Sequence, residues 1–129
     1  ESFQRPLTTA LHEKGVKLMA GTDALLPTIL PGFSLHWELE ELVGVGLTPY
    51  EALRASTTYP MEFLGELDEA GTIEKGKRAE LVLLEANPLE EITNTRKIAG
   101  VMLQGRWLPQ AELQKGLDDV AAFYETLKK

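Results

Sequence analysis

The sequence predicts an α/β fold, and three observations carry that reading. A helical stretch is followed by a glycine and then by a short, almost continuous apolar run, Val16 to Ala20, bounded by glycines. Such a run fits a strand buried on both faces, as in a parallel sheet. Further helical segments follow, and beyond Gly65 the helical periodicity gives way to short apolar strands and turns closed by one amphipathic helix.

Residues 3 to 14 place Phe3, Leu7, Ala10 and Leu11 on one helical face, with Gly15 as the stop. After the apolar run come Gly21-Thr22-Asp23-Ala24 and a loop containing Pro27, Pro31 and Gly32. Ser34 is placed to cap a helix that begins at Leu35, carries Leu35, Leu39, Leu42 and Val43 on one side, and ends at Gly46. Thr48-Pro49-Tyr50-Glu51 is a capping box, with threonine at N-cap, proline at N1 and glutamate at N3. It opens a helix through about Thr57, and Pro60 to Leu64 adds a short one ended by Gly65.

Leu81 to Leu84 and Ile98 to Leu103 are apolar strand candidates separated by the breaker Asn87-Pro88. Gln104-Gly105 sits between the second of these and Arg106-Trp107-Leu108, which reads as a tight hairpin. From about Pro109, Leu113, Leu117, Val120, Phe123 or Tyr124, and Leu127 recur at helical spacing. The change of periodicity near Gly65 is the only candidate boundary, and no Ser/Gly-rich linker marks it.

With 129 residues and a hydrophobic fraction of 43%, the chain can bury one modest core. Its net charge of -7, from 20 acidic and 13 basic side chains, lacks the basic stripe that nucleic acid or anionic lipid requires. Without cysteine there is no disulfide framework, thiolate metal site or cysteine nucleophile, so any metal is held by nitrogen and oxygen. No apolar run approaches the ~20 residues of a membrane span, and the start lacks a signal-peptide layout, so the expected location is the cytoplasm. The chain starts at Glu1, and the earliest methionine, Met19, falls inside an apolar run, which suggests an excised or incomplete chain.

Asp23 lies just past the carboxyl end of the expected buried strand, where α/β sheets and β/α barrels collect their catalytic groups. A carboxylate there can bind a cation or accept a proton from a metal-bound water, and the alternative is an aspartate that caps a turn. The two histidines, His12 and His36, are too far apart in sequence to form an i, i+2 or i, i+4 chelating pair. His12 reads as an ordinary surface histidine. His36, in the first turn of the helix after the Asp23 loop, is a weak candidate for substrate binding, with packing or capping as the alternative. Glu38, Glu40 and Glu41 read as a solvated helix face, Trp37 and Trp107 as packing residues, and Lys75, Lys77 and Arg78 as a solvated loop.

Gly15-Val16-Lys17-Leu18-Met19-Ala20-Gly21-Thr22-Asp23-Ala24 resembles the last barrel strand of the amidohydrolase superfamily. The segments Pro31 to Glu40 and Gly46 to Ala55 resemble the helices after that strand in the imidazolonepropionase-like and Xaa-Pro dipeptidase-like branch. Gly71 to Val82 and Asn87-Pro88-Leu89 resemble the strands that return to that family's small β-sandwich. The likeness runs from about Gly15 to Leu108, with one departure: Glu80 stands where the family usually has aspartate.

The resemblance implies the last βα portion of a metal-dependent hydrolase (β/α)8 barrel over residues 1–65, part of a β-sandwich over 66–108, and a C-terminal helix over 109–129. It implies that Asp23 is both a metal ligand and the catalytic proton shuttle, acting with a divalent metal, zinc by choice for a histidine and carboxylate site. The family's remaining ligands, a His-x-His pair, a carboxylated lysine or acidic residue and two further histidines, have no counterparts here. The expected activity is therefore hydrolysis of a C–N bond, in an amide, cyclic amide or peptide, by the complete enzyme and not by this chain alone. The implied partners are a small-molecule substrate and the missing N-terminal part or a second copy, with no nucleic acid or membrane. A non-catalytic binding or assembly module and one subunit of a split hydrolase are the competing readings.

Overall fold

The computed structural model describes residues 3–24, 26–27 and 29–127. Glu1 and Ser2 of the expected barrel segment, and Lys128 and Lys129 of the expected C-terminal helix, lie outside the described residues. Helix α1 (Gln4–Glu13) forms where the apolar spacing predicts it, and Gly15, at φ 75°, turns the chain out of it. None of its residues is buried. It is held by polar contacts: the Thr9 hydroxyl donates to the Val45 carbonyl at 2.9 Å, and Arg5 pairs with Glu41 at 3.4 Å.

Residues 16–20 are a correction to the expected buried strand. They run without strand pairing, and Val16 and Met19 are 45% and 44% exposed. Leu18 and Ala20 pack on the core, and the Ala20 N–H donates to the Ala55 carbonyl at 2.9 Å. From Lys17 to Ala20 exposure alternates as in a strand covered on one side, and Val16, on the covered side by that period, is exposed. Two-face burial needs neighbouring strands, and among the described residues none lies beside this segment.

Helix α2 (Phe33–Gly44) starts two residues earlier than expected, with Gly32 at N-cap (φ 80°) and not Ser34. Ser34 is drawn inside the first turn and buried. Helix α3 (Pro49–Ser56) opens with the complete capping box: the Glu51 N–H donates to Thr48 Oγ1 at 3.3 Å, and the Thr48 N–H returns to Glu51 Oε2 at 2.8 Å. Helix α4 (Thr58–Leu64) ends at left-handed Gly65, as the sequence predicts.

The second half holds a three-stranded antiparallel sheet in the order β1-β2-β3, from Leu81–Leu84, Ile98–Leu103 and Arg106–Pro109. Gln104-Gly105 makes the hairpin, both at positive φ, pairing Leu103 with Arg106. Trp107 lies across Gly100 on the neighbouring strand, where any Cβ would overlap its ring. A 3-10 turn, Ile92–Arg96, precedes β2 and was not legible in the sequence. Helix α5 (Gln110–Leu127) closes the chain, with no buried residue. No described helix is long and apolar enough to cross a membrane.

The core joins the two halves. Leu39 and Leu42 of α2, Leu47, and Ala52 and Ala55 of α3 pack with Ile92 of the 3-10 turn. The alanines are fully buried, which lets α2 and α3 approach closely. The expected solvated loop at Lys77 is also corrected. Its ammonium donates to the Leu67 carbonyl and to Thr72 Oγ1, each at 2.6 Å, so the lysine ties its turn together. Arg78 pairs with Glu66 at 3.4 Å.

Candidate active site

Asp23 occupies the turn that follows the 16–20 segment. Its φ of 54° is left-handed, a conformation that aspartate tolerates better than most side chains. Its carbonyl accepts from the Leu26 N–H at 3.4 Å, and the residue is exposed. Just before it, the Gly21 N–H donates to Glu38 Oε1 at 3.4 Å, which ties the loop to α2.

Beside this turn lies a cleft of about 350 Å³ lined by Thr22, Ile29, Ser34, Trp37, Glu38 and Glu41. The four α2 residues fall at i, i+3, i+4 and i+7, so one face of the helix forms one wall. Ser34 Oγ is buried there without a hydrogen-bond partner among the described residues. Sequence reasoning missed this wall because serine ahead of a helix is normally its cap. The spacing of Ser34, Trp37, Glu38 and Glu41 was the signal that could have found it.

His36 lies on the opposite side of α2. Its Nδ1 is 3.0 Å from Thr95 Oγ1, on the 3-10 turn. Burial lowers its pKa, Arg96 lowers it further, and Glu40 opposes them. The structure thus does not bring His36 to the cleft beside Asp23. His12 is 4.0 Å from Glu51, on another face. The acidic residues of α2 are engaged as well as solvated: Glu40 accepts from Arg96 at 2.6 Å, and Glu41 pairs with Arg5. The Arg96 guanidinium also lies 5.8 Å from the centre of the Trp37 ring.

Among the described residues, no three histidine, cysteine, aspartate or glutamate side chains converge to hold a metal ion. Since a closed or catalytic metal site needs at least three protein ligands, these residues do not form one by themselves. What they present is one exposed carboxylate on a turn, able to contribute a ligand or accept a proton, beside a cleft walled by a helix.

The sequence model of the amidohydrolase family matches residues 1–108. Among solved structures, the chain is similar to a Xaa-Pro dipeptidase with methionine bound in its active site, at 28% identity and a TM-score of 0.73, covering 81% of this chain and 25% of that one. It is similar to a putative prolidase from Bifidobacterium longum at 34% identity and a TM-score of 0.71, covering 87% of this chain and 29% of that one. A molinate hydrolase matches at 27% identity and a TM-score of 0.71, covering 78% and 25%. The chain thus spans between a quarter and a third of the length of these structures. No curated protein matches it. With the family's pattern matched over most of its length, the chain belongs to the amidohydrolase family.

Proposed function

We propose that this chain supplies one catalytic carboxylate, Asp23, to a metal-dependent hydrolase that cleaves a C–N bond in a small amide, cyclic amide or peptide. The observation that carries the reading is the place of Asp23: on a left-handed turn directly after an extended segment whose sequence resembles the family's last strand, beside a cleft. Residues 1–65 would form the end of a (β/α)8 barrel, 66–108 part of a β-sandwich, and 109–129 an appended helix. The exposed outer edge of the 16–20 segment is where a neighbouring barrel strand would pair.

Asp23 is one carboxylate, and the remaining ligands of a divalent ion, zinc for a histidine-rich set, would have to come from outside this chain. The chain alone is therefore expected to be inactive. In the complete site Asp23 takes a proton from the attacking water and passes it to the leaving nitrogen. The resemblance to a Xaa-Pro dipeptidase and a prolidase supports a peptide bond involving proline as the first substrate class to try. His36 faces Thr95 and not this cleft, so substrate contact by His36 is the weaker part of the proposal.

The test is Asp23→Asn in the complete protein, assayed for hydrolysis and zinc content together. A rate loss on the order of 10²–10⁴-fold, with loss of bound zinc, is the expected result. Unchanged hydrolysis would overturn the assignment of Asp23. Unchanged binding or assembly in a protein without hydrolytic activity would favour a non-catalytic module. Co-purification with a second chain that brings the histidines would identify a split enzyme.

A further inference from the structure

The acidic residues Glu38, Glu40 and Glu41 of α2 have different partners. Glu40 accepts from Arg96 at 2.6 Å, and Glu41 pairs with Arg5 at 3.4 Å. Glu38 has no basic partner among the described residues. Its Oε1 instead accepts the backbone N–H of Gly21 at 3.4 Å, two residues before Asp23. Leu39, the next residue, and Leu42, one turn further on, are buried in the core. Glu38 is therefore carried by a helix that the core holds in place, and it reaches across to the loop from there.

The turn at residues 21–24 has little else to hold it. The extended segment before it makes its backbone bond to the core at Ala20, whose N–H donates to the Ala55 carbonyl at 2.9 Å. Beyond that point the Asp23 carbonyl accepts from the Leu26 N–H, a bond within the loop itself. Asp23 is exposed and left-handed at φ 54°. Residues other than glycine adopt that conformation at a cost, so local preference does not maintain the turn by itself. Among the described residues, Glu38 is the one side chain that hydrogen-bonds this turn to a helix.

We infer that Glu38 is a positioning residue for Asp23: its carboxylate holds the Gly21 peptide so that the turn presents the Asp23 carboxylate in one place. The inference rests on the proposed role of Asp23 as the group that moves the proton. Proton transfer needs its partners within hydrogen-bond reach, and a displacement of about 1 Å can cost on the order of 100-fold in rate. What position 38 must supply is an acceptor. A glutamine carbonyl can take the same N–H, although a carboxylate makes the stronger bond. Glu38 also lines the cleft, so substrate contact is the rival role. The two separate kinetically, because a positioning residue acts on kcat and a ground-state contact acts on KM. Gly21 is exposed, so water can replace a lost acceptor, and alanine favours the helix. Glu38→Ala should therefore fold as the wild type does.

The test compares Glu38→Ala and Glu38→Gln in the complete protein, with Asp23→Asn alongside. Glu38→Ala should lower kcat on the order of 10- to 100-fold while KM changes less than about threefold. Glu38→Gln should retain most of kcat. A change confined to KM would make Glu38 a substrate contact and overturns the inference. Glu38→Gln as impaired as Glu38→Ala would make it the partner of a cation from outside this chain and overturns it too. Full activity in Glu38→Ala beside an inactive Asp23→Asn overturns this inference alone, whereas full activity in Asp23→Asn overturns both it and the role of Asp23. A second readout needs no activity. In this chain the Gly21 amide, followed by NMR, should exchange with solvent about tenfold faster in Glu38→Ala and near the wild-type rate in Glu38→Gln. Equal exchange in the wild type and Glu38→Ala overturns the inference.

Discussion

The Nδ1 of His36 on α2 and the Oγ1 of Thr95 on the 3-10 turn lie 3.0 Å apart, and this bond ties the helical half of the chain to the half that carries the sheet. The Thr95 hydroxyl donates its single proton to the Ile92 carbonyl at 2.9 Å. It must therefore accept from His36, which fixes the neutral imidazole as the Nδ1–H tautomer. Burial and then Arg96 hold the His36 pKa below the ordinary value of about 6.5, with Glu40 as the lesser, opposing influence.

A pH dependence follows. Because the folded pKa is depressed, the unfolded chain binds more protons between the folded value and about 6.5. The contribution of His36 is complete above that window and is lost as pH falls through it. Urea unfolding of the wild type should show stability declining below about pH 6.5, and His36→Gln, which does not titrate, should remove that part of the slope. An unchanged slope in His36→Gln would show that His36 is not its source.

The capping box at Thr48 predicts a second effect. Hydrogen bonds from the Thr48 backbone, then from its hydroxyl, lower the Glu51 pKa. The carboxylate's contribution is therefore present above the ordinary glutamate value and is lost as pH falls through the lowered one. Thr48→Ala removes the hydroxyl that accepts from the Glu51 N–H and should cost about 1 kcal/mol, read as a lowered unfolding midpoint. Thr48→Ser should retain most of it. Equal losses in the two variants would show that the cap does not hold α3.

Much of this fold was legible because local chemistry sufficed. Thr48 to Glu51 contain their own cap, Gly65 its own stop, and Gln104-Gly105 their own turn. What was not legible depended on distant neighbours. The run from Val16 to Ala20 has the composition of a buried strand, but burial depends on which segments flank it, and here only Leu18 and Ala20 meet the core. Ser34 has the chemistry of an N-cap, and only the positive φ of Gly32 moves the helix start ahead of it. Asp23 could be singled out by its place in an ordered motif, whereas the cleft beside it is made by one face of α2 turned toward the loop. Lys77 reads as a loop lysine until Leu67 and Thr72, ten and five residues earlier, are seen to accept its protons.

The packing of the Trp107 ring over Gly100, diagonally across β2 and β3, predicts a strict size limit. A Cβ at position 100 would overlap the indole ring and approach the Leu108 carbonyl to 2.9 Å. Backbone atoms of a paired strand cannot retreat as a flexible side chain can, so Gly100→Ala should destabilise the sheet by about 1–3 kcal/mol. Trp107→Leu in the same chain removes the ring but not the carbonyl, and should restore part of the loss. A neutral Gly100→Ala, measured by the midpoint of thermal unfolding, would contradict the close approach of these strands.

Ser34 gives the sharpest test of what the cleft is for. Its hydroxyl is buried and, among the described residues, without a hydrogen-bond partner, in a wall shared with Trp37, Glu38 and Glu41. Burying a hydroxyl without a hydrogen bond costs about 1–3 kcal/mol. Alanine has nearly the same volume without that polar group and has the higher helix propensity. In this chain Ser34→Ala should therefore leave stability unchanged or raise it by about 1 kcal/mol, seen as a shift of the denaturant midpoint at constant slope. In the complete protein the two possible uses of the hydroxyl separate. If a segment from outside this chain, or a substrate, accepts the Ser34 proton, Ser34→Ala should reduce stability or raise KM there while stabilising the shorter chain. The same stabilisation in both would mean that nothing in the complete protein uses the hydroxyl.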